Sequence, residues 1–216
     1  MNESRSLTGL ATTALLVMVM LLFFHACSFP KIIVLNDPLS ADEHVKLGRI
    51  YETQGKTDLA MQQYEAAVRR DPKSVTAYLL IGDLSFKTGK YNEAESAYEK
   101  AIKLEPDNGD ILNNLCWVYL KQDRKIASAE EIIQKAMIMT PEHRGYYLDT
   151  LGVILLRLNR VHESISALQQ AAMLIPADQS GNLAEVYTHL AEAYRKSGDE
   201  VRARDAEVEA ASRRKR

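Results

Sequence analysis

Apolar residues recur along most of this chain at the spacing of helices that bury one face. In the segment 75–87, for example, Tyr78, Ile81, Gly82 and Ser85 follow one another at steps of three, one and three residues. Positions i, i+3, i+4 and i+7 lie on the same side of an α-helix, so this pattern predicts an amphipathic helix. Similar stretches follow one another from about residue 41 onward, and the chain is therefore predicted to be all-α.

The helical pattern also repeats at a longer period. Four prolines, at positions 72, 106, 141 and 176, lie 34, 35 and 35 residues apart, and each closes a similar segment. The clearest copy spans 75–108 and contains Tyr78, Ile81, Gly82, Ala94, Tyr98, Ala101 and Pro106. A period near 34 residues with a small pair, an alanine, an aromatic residue and a closing proline is typical of a helix–turn–helix solenoid.

These residues resemble the tetratricopeptide repeat (TPR) family, and the resemblance covers nearly everything after residue 40. It implies a right-handed superhelical solenoid of paired helices whose surface holds other proteins. The five predicted repeats of the domain 41–216 are 41–74, 75–108, 109–144, 145–178 and 184–216.

Three sets of positions support this register. The predicted turns fall on residue types that tolerate the left-handed conformation that reverses a chain after a helix. They are Gly55, Gly89, Asp123, Asn159 and Gly198. Small residues recur where two helices of a repeat must cross closely. The first set is Gly48, Gly82, Cys116, Gly152 and Ala191, and the second is Ala60, Ala94, Ala129, Ser164 and Ala203. Cys116 is therefore expected to be a small packing residue.

Three departures from the repeat are visible. Repeat three carries two additional residues, which we place at the turn 123–126 and near 143–144. The segment 179–183 is an insertion between repeats four and five, and it is predicted to lengthen a loop. Glu207 stands where the other repeats have an aromatic or aliphatic residue, so the last helix is predicted to be a polar cap that ends the array.

The first 26 residues have the character of an export signal or a membrane anchor. No formally charged residue occurs from Ser6 to Pro30. The fifteen-residue apolar centre, Leu10 to Phe24, would span roughly 22 Å as a helix, against a hydrocarbon core of about 30 Å. A short apolar run after a positively charged start is typical of an export signal.

The end of this segment resembles the lipobox of bacterial lipoproteins. Its residues are Phe24, His25, Ala26 and Cys27. The resemblance implies cleavage before Cys27, lipidation of Cys27, a tether over 27–40 and, because Ser28 follows, attachment to the outer membrane facing the periplasm. Two alternatives remain open. The twenty residues 7–26 could stay as an uncleaved anchor in the inner membrane, or the chain could be secreted in soluble form.

No pattern in the chain predicts catalysis. The net charge of −2 does not indicate a nucleic-acid partner, and the five histidines have no metal-ligand spacing. Phosphate-binding, dinucleotide-binding and nucleophile-elbow motifs are not present in the sequence. We therefore predict neither an enzyme nor a cofactor, a metal or a small-molecule substrate.

The candidate site is the concave groove that the TPR resemblance implies. In that family the groove is lined by offsets two, five, nine, twelve and thirteen of each repeat. Carried onto this chain, its centre is Leu79, Asp83, Phe86, Asn113, Trp117, Leu120, Tyr146, Asp149, Val153 and Leu156. Its charged margin is Arg49, Glu52, Lys87, Lys121, Arg157, Glu192, Arg195 and Lys196. Packing against neighbouring helices is an alternative role for the apolar members Leu79, Phe86, Trp117 and Leu156.

The predicted ligand is a protein or peptide rather than an acidic chain terminus. The carboxylate-clamp version of the family expects lysine and asparagine where this sequence has Val45 and Arg49, so the clamp is disfavoured. An apolar strip with a polar rim is typical of a protein-binding surface.

These features predict a membrane-tethered TPR scaffold of the bacterial cell envelope. One alternative is a pilotin-like assembly factor for a secretin or a pilus, because the layout of lipidated cysteine and TPRs is similar. Another is a non-catalytic companion subunit of an envelope enzyme such as a papain-like cysteine peptidase, since 33–44 resembles a linker found in such proteins. Self-association of the array is a third.

Overall fold

The computed structural model describes residues 37–214, and the described chain is entirely helical. Its ten α-helices belong to a compact unit that begins at Leu39. The helices are α1 Ala41–Thr53, α2 Thr57–Arg70, α3 Val75–Lys87, α4 Tyr91–Leu104, α5 Gly109–Gln122, α6 Ile126–Met139, α7 Arg144–Arg157, α8 Val161–Leu174, α9 Ser180–Lys196 and α10 Glu200–Arg214. The export signal, Cys27 and most of the tether lie outside the described residues. Among residues 37–214, no helix combines the length and apolarity needed to cross a membrane.

Side-chain caps fix where the first helix begins in each of the first three repeats. Ser40 and Glu43 form a reciprocal capping box at α1, in which the Ser40 backbone N–H donates to Glu43 Oε2 at 2.8 Å. Ser74 and Asn108 accept from backbone N–H groups of α3 and α5. These contacts satisfy donors that have no partner within the helix, so the sequence marks the start of a repeat locally.

All five predicted turns adopt the left-handed conformation. The φ angles are 70° at Gly55, 75° at Gly89, 49° at Asp123, 62° at Asn159 and 82° at Gly198. Glycine has no Cβ to clash there, and aspartate and asparagine tolerate the region better than most residues. Each turn therefore joins two helices of one repeat with a very short connection, as predicted.

The small positions lie where the two helices of a repeat approach most closely. Gly82 faces the ring of Tyr98, which is 2% exposed. In the next repeat the Cys116 thiol donates to the backbone carbonyl of Ala129 at 3.4 Å, and burial raises the pKa of Cys116 to about 12. The thiol is thus held as a neutral packing group, in agreement with its predicted role.

Neighbouring repeats stack through both of their helices, but only the first helices form a continuous inner wall. Each second helix contacts the first helix of the following repeat. In addition, α3 contacts α5, α5 contacts α7 and α7 contacts α9, whereas the second helices are not in comparable contact with one another. The array is therefore a TPR-type solenoid with α3, α5, α7 and α9 along its inner face.

Four of the five inserted residues, 180–183, are helical, which corrects the predicted loop. The helix α9 begins at Ser180 and is 17 residues long, about one turn longer than α7. Leu183 in the added turn is 2% exposed and belongs to the core of the last repeats. Burial of this leucine stabilises the additional turn, so the inserted residues continue the helix instead of forming a loop.

The irregularities of repeat three lie where they were predicted. The turn after α5 has two residues with positive φ, Asp123 and Lys125, and a short 3₁₀ helix, Pro141–His143, precedes α7. Glu95 on α4 stabilises the turn, since it forms ion pairs with Arg124 and with Lys125, the latter at 2.8 Å.

The last helix has a narrow buried face of three alanines, Ala203, Ala206 and Ala210. Glu207 is exposed and forms an ion pair with Arg195 of α9. The outer face is not wholly polar, because Val201 is 72% exposed and Val208 68% exposed.

The close crossing in repeat two gives a testable prediction. A Cβ at position 82 would lie 2.7 Å from Tyr98 Cδ1, so Gly82→Ala forces the helices apart. We expect a loss of about 1–3 kcal/mol in the free energy of unfolding, measured by urea titration. Gly181→Ala is the matched control, since a Cβ there meets nothing within 4 Å. An equal loss in both variants would contradict the crossing constraint.

Candidate functional site: the groove along the first helices

Two adjoining cavities lie on the inner face of the solenoid. The first, of about 520 Å³, is lined by Glu52, Leu80, Asp83, Phe86, Lys87, Tyr98, Asn114 and Trp117. The second, of about 470 Å³, is lined by Phe86, Asn113, Trp117, Lys121, Tyr146, Asp149, Thr150, Ile175, Asn182, Glu185 and His189. Phe86 and Trp117 belong to both, so the two cavities form one groove lined by residues of repeats one to five.

Six of the ten predicted central residues line this groove. They are Asp83, Phe86, Asn113, Trp117, Tyr146 and Asp149. From the predicted margin, Glu52, Lys87 and Lys121 line it as well, and Arg49 lies in a shallow pocket beside Glu52 and Asp83.

The other four predicted central residues pack between helices. Leu120, Val153 and Leu156 are 4%, 8% and 3% exposed and belong to the core clusters, and Leu79 packs partly buried against the same core. The three buried residues offer little surface to a ligand, and Leu79, which is half-buried, lines neither cavity; this corrects that part of the prediction. For Leu79 and Leu156 the structure agrees with the alternative role in helix packing.

The remaining margin residues make contacts of their own. Arg157 pairs with Asp123 at 3.3 Å, Arg195 pairs with Glu207, and Lys196 donates to the carbonyl of Leu156 at 2.9 Å. Glu192 is exposed on α9. None of these four residues lines the two cavities.

Helix geometry explains the groove residues that were not predicted and three of the four misplaced ones. At ~100° per residue, offsets two, six, nine and thirteen form one narrow stripe, whereas offsets five and twelve, the positions of Leu79, Leu120 and Leu156, lie toward the close crossing at offset eight. Val153 is buried although it lies at offset nine. The missed groove residues at offset six are Leu80, Asn114, Thr150 and His189. Offset six lies four residues after offset two and seven residues before offset thirteen, so its helical spacing to these groove positions could have identified these residues from the sequence.

The carboxylate of Asp83 forms the polar floor of the first cavity. Its Oδ1 accepts from the Tyr98 hydroxyl at 2.7 Å and from the Asn114 amide at 3.3 Å. Burial raises the pKa of Asp83, although these hydrogen bonds and the more distant Lys87 act in the opposite direction. At the rim, Glu52 accepts from Lys87 at 2.5 Å and from Tyr64 at 2.9 Å.

The second cavity contains a histidine–carboxylate pair. His189 Nδ1 lies 2.8 Å from Asp149 Oδ1, and the imidazole lies beside Trp117 with 5.8 Å between ring centroids. Burial lowers the pKa of His189, but the hydrogen bond and charge of Asp149, with Glu185 and Glu192, outweigh it and leave the pKa raised.

The chemistry available in the groove is that of binding. Aromatic rings and amide, hydroxyl and carboxylate groups face one continuous surface, which can hold an extended or helical protein segment. Within residues 37–214, no group of three or more His, Cys, Asp or Glu side chains is placed to hold a metal ion.

The raised pKa of His189 predicts a pH-dependent contribution to stability. A raised pKa in the folded state means that the stabilisation is fully present below the unfolded pKa, about 6.5, and is lost as pH rises through the folded value. His189→Gln should therefore lower the urea midpoint more at about pH 5.5 than at about pH 8.5. His162→Gln, at an exposed position of α8, is the control. An equal effect of His189→Gln at both pH values would contradict the pairing.

Comparisons with known proteins agree with this architecture. Two sequence models of the tetratricopeptide repeat family match residues 45–109 and 85–151. No curated protein sequence matches the chain significantly. Among solved structures, PilW, described as a widely conserved type IV pilus biogenesis factor, is 18% identical with a TM-score of 0.72, over 82% of this chain and 78% of PilW.

Two further solved structures have the same fold. Pseudomonas aeruginosa PilF is 21% identical with a TM-score of 0.66, over 80% of this chain and 75% of PilF. YrrB, described as a TPR protein with an unusual peptide-binding site, is 19% identical with a TM-score of 0.58, over 80% of this chain and 86% of YrrB. At these identities the likeness concerns the fold. The family matches identify tetratricopeptide repeats over 45–151, and the helix pairs and the five left-handed turns show that residues 41–214 are an array of such repeats.

Proposed function

We propose that this protein is a scaffold that binds a segment of another protein in the groove around Trp117, and that its N-terminal region attaches it to a membrane. The observation that carries the binding role is the line of three half-buried aromatic rings, Phe86, Trp117 and Tyr146, along two connected cavities. Tryptophan and tyrosine are preferred anchors of protein interfaces, and apolar strips with polar rims mark such sites.

Each of these rings is held in place by a neighbouring ring. Phe86 lies edge-on to Tyr91 with centroids 5.6 Å apart, and Tyr146 lies edge-on to His143 at 6.2 Å. Trp117 lies beside His189. Rings that are already ordered lose little conformational freedom when a ligand covers them, so the surface is pre-organised for binding.

Polar groups between the rings suit a peptide backbone. The Thr150 hydroxyl donates to Asn113 Oδ1 at 2.7 Å, which leaves the Asn113 amide nitrogen to donate to a ligand carbonyl. Such contacts recognise the main chain of an extended segment, while the cavities on either side of Trp117 select its side chains.

Photocrosslinking in native membranes tests the binding role. A benzoylphenylalanine at position 86 should give an adduct with a discrete protein, and the same group at position 201, on the outer face of α10, should not. Adding Trp117→Ala should reduce the adduct, because loss of an aromatic anchor costs on the order of 2 kcal/mol or about thirtyfold in affinity. Met173→Ala, at a residue that is 83% exposed on α8, is the matched control. Equal adducts from positions 86 and 201 would contradict a groove site.

Although Leu120 is among the predicted groove residues, Leu120→Glu cannot test whether the groove binds a partner. Its side chain is 4% exposed, so a buried carboxylate would damage the fold whether or not the groove binds a partner.

The attachment to the membrane is proposed from the sequence alone. We propose that Cys27 becomes the lipidated first residue of the mature chain. A single acyl chain gives only marginal membrane binding, at about 0.8 kcal/mol per buried methylene, so stable attachment requires the several chains of a lipoprotein. The proposed location is the periplasmic face of the outer membrane.

Cys27→Ala separates the lipoprotein from the uncleaved anchor. For a lipoprotein, the variant should lose the acyl mass on intact-protein mass spectrometry and should no longer be cleaved before position 27. For an anchor, the mass should differ from the parent only by the substitution, and both proteins should remain in the inner-membrane fraction.

A pilotin-like role is the second candidate. The similarity in fold to PilW, a protein described by its part in type IV pilus biogenesis, favours it. The adduct from position 86 distinguishes it, since a secretin or pilus component would be captured. The role as a companion of a cysteine peptidase stays a prediction from the segment 33–44.

A further inference from the structure

We infer that the first cavity of the groove receives a lysine or arginine side chain of the bound segment, with Asp83 as its charge partner. This inference rests on the proposed function, because it specifies which segment the groove selects. The TPR resemblance implies no such preference, and the carboxylate-clamp version of the family takes the opposite charge.

The two oxygens of Asp83 have different surroundings. Oδ1 accepts both hydrogen bonds, from Tyr98 and from Asn114. Oδ2 accepts none from the residues that the structure describes, and no ion pair to Asp83 forms among them. One oxygen of a largely desolvated carboxylate is thus available in the cavity that Asp83 lines.

The nearby cation of the cavity is already engaged. Lys87 Nζ is 2.5 Å from Glu52 Oε1, and the Lys87 side chain is 65% exposed while that of Glu52 is 25% exposed. The residues that line this cavity therefore include two carboxylates and one ammonium. Arg49 lies in the adjoining pocket beside both carboxylates, but it is exposed and no ion pair joins it to either of them among residues 37–214. A buried carboxylate without a cation is costly, and a ligand cation that pairs with it recovers part of that cost.

The walls of the cavity suit the rest of a basic side chain. Leu80 can cover the methylene stem of lysine or arginine, and Phe86 and Trp117 contribute aromatic rings to the wall of the cavity. Cation–π contacts contribute about 0.5–2 kcal/mol when partly desolvated. An acidic side chain in the same place would face the Asp83 carboxylate, which disfavours it by like-charge repulsion.

Lys121 makes the two ends of the groove differ in charge. It lines the second cavity, on the far side of Trp117, and is exposed with no ion pair among residues 37–214. Lys121 and Asp83 are therefore on opposite sides of the Trp117 ring. A segment that places its basic residue on the Asp83 side keeps that residue away from the Lys121 ammonium.

A random peptide library tests the inference. The library would be displayed on phage and panned against the full-length chain in detergent, and lysine or arginine should be enriched at one position of the selected peptides. A selected peptide should bind Asp83→Asn about 10–100-fold more weakly, as expected for loss of a hydrogen-bonded charge partner. Replacing its basic residue by norleucine should have little additional effect on the variant, since coupled partners are not additive.

The Asp83→Asn variant should keep its fold. Asparagine retains the Oδ1 acceptor for Tyr98, and its amide nitrogen replaces the oxygen that has no hydrogen bond. Its urea midpoint checks this. Asp123→Asn is the matched control, because this carboxylate is 74% exposed and lies at a turn outside the groove.

The remaining outcomes would overturn the inference. Peptides without a basic residue, or with an enriched acidic one, would reject the charge preference while leaving the groove as a binding site. Basic peptides that bind Asp83→Asn as tightly as the parent would place their cation elsewhere. If no peptide is enriched at all, both this inference and the binding of an unstructured segment in the groove are wrong.

Discussion

The close crossing of the two helices in each repeat is the constraint on which the rest of this structure depends. At Gly82 the ring of Tyr98 occupies the space that any side chain would need, and at Gly152 the side chain of Leu168 does the same. Helices can approach so closely only if one partner contributes almost no volume at the contact. This contact fixes the rotation of each first helix about its own axis, and therefore decides which of its faces remains open.

The groove is the part of the first helices that neither the crossing nor the stacking of repeats covers. The residue at offset eight faces the second helix of the same repeat, and each first helix also contacts the helices of the neighbouring repeats. The surface that remains open is a narrow stripe along each first helix. Side chains from this stripe line the cavities around Trp117. The shape of the groove therefore depends on the packing that stabilises the fold, and a substitution at the crossing would disturb both.

The sequence predicted the elements better than it predicted the surface. Turns and crossings depend on the residue type at one position, such as glycine, asparagine or alanine. Because these types recur at the same offset of each repeat, the sequence alone predicted them. Exposure depends on the neighbouring repeat. Phe86, Leu120 and Leu156 share offset twelve, yet Phe86 lines the groove while the two leucines are buried. The helical state of 180–183 likewise depended on a core contact of Leu183 that no local pattern indicates.

Recognition in the groove depends on partners that are distant in sequence. Asp83 and Asp149 are both aspartates on first helices and both line a cavity, but Asp149 has the imidazole of His189 from the following repeat at 2.8 Å. The residue that the following repeat offers to Asp83 is Asn114, a neutral amide. A neutral donor supports the carboxylate without neutralising it, whereas a protonated histidine does both. The same residue type therefore has a partner that can become cationic in one half of the groove and only neutral hydrogen-bond donors in the other. Since each repeat contributes these partners independently, a TPR array can change its preferred ligand through single side chains on adjacent repeats while the crossings that hold the fold stay the same.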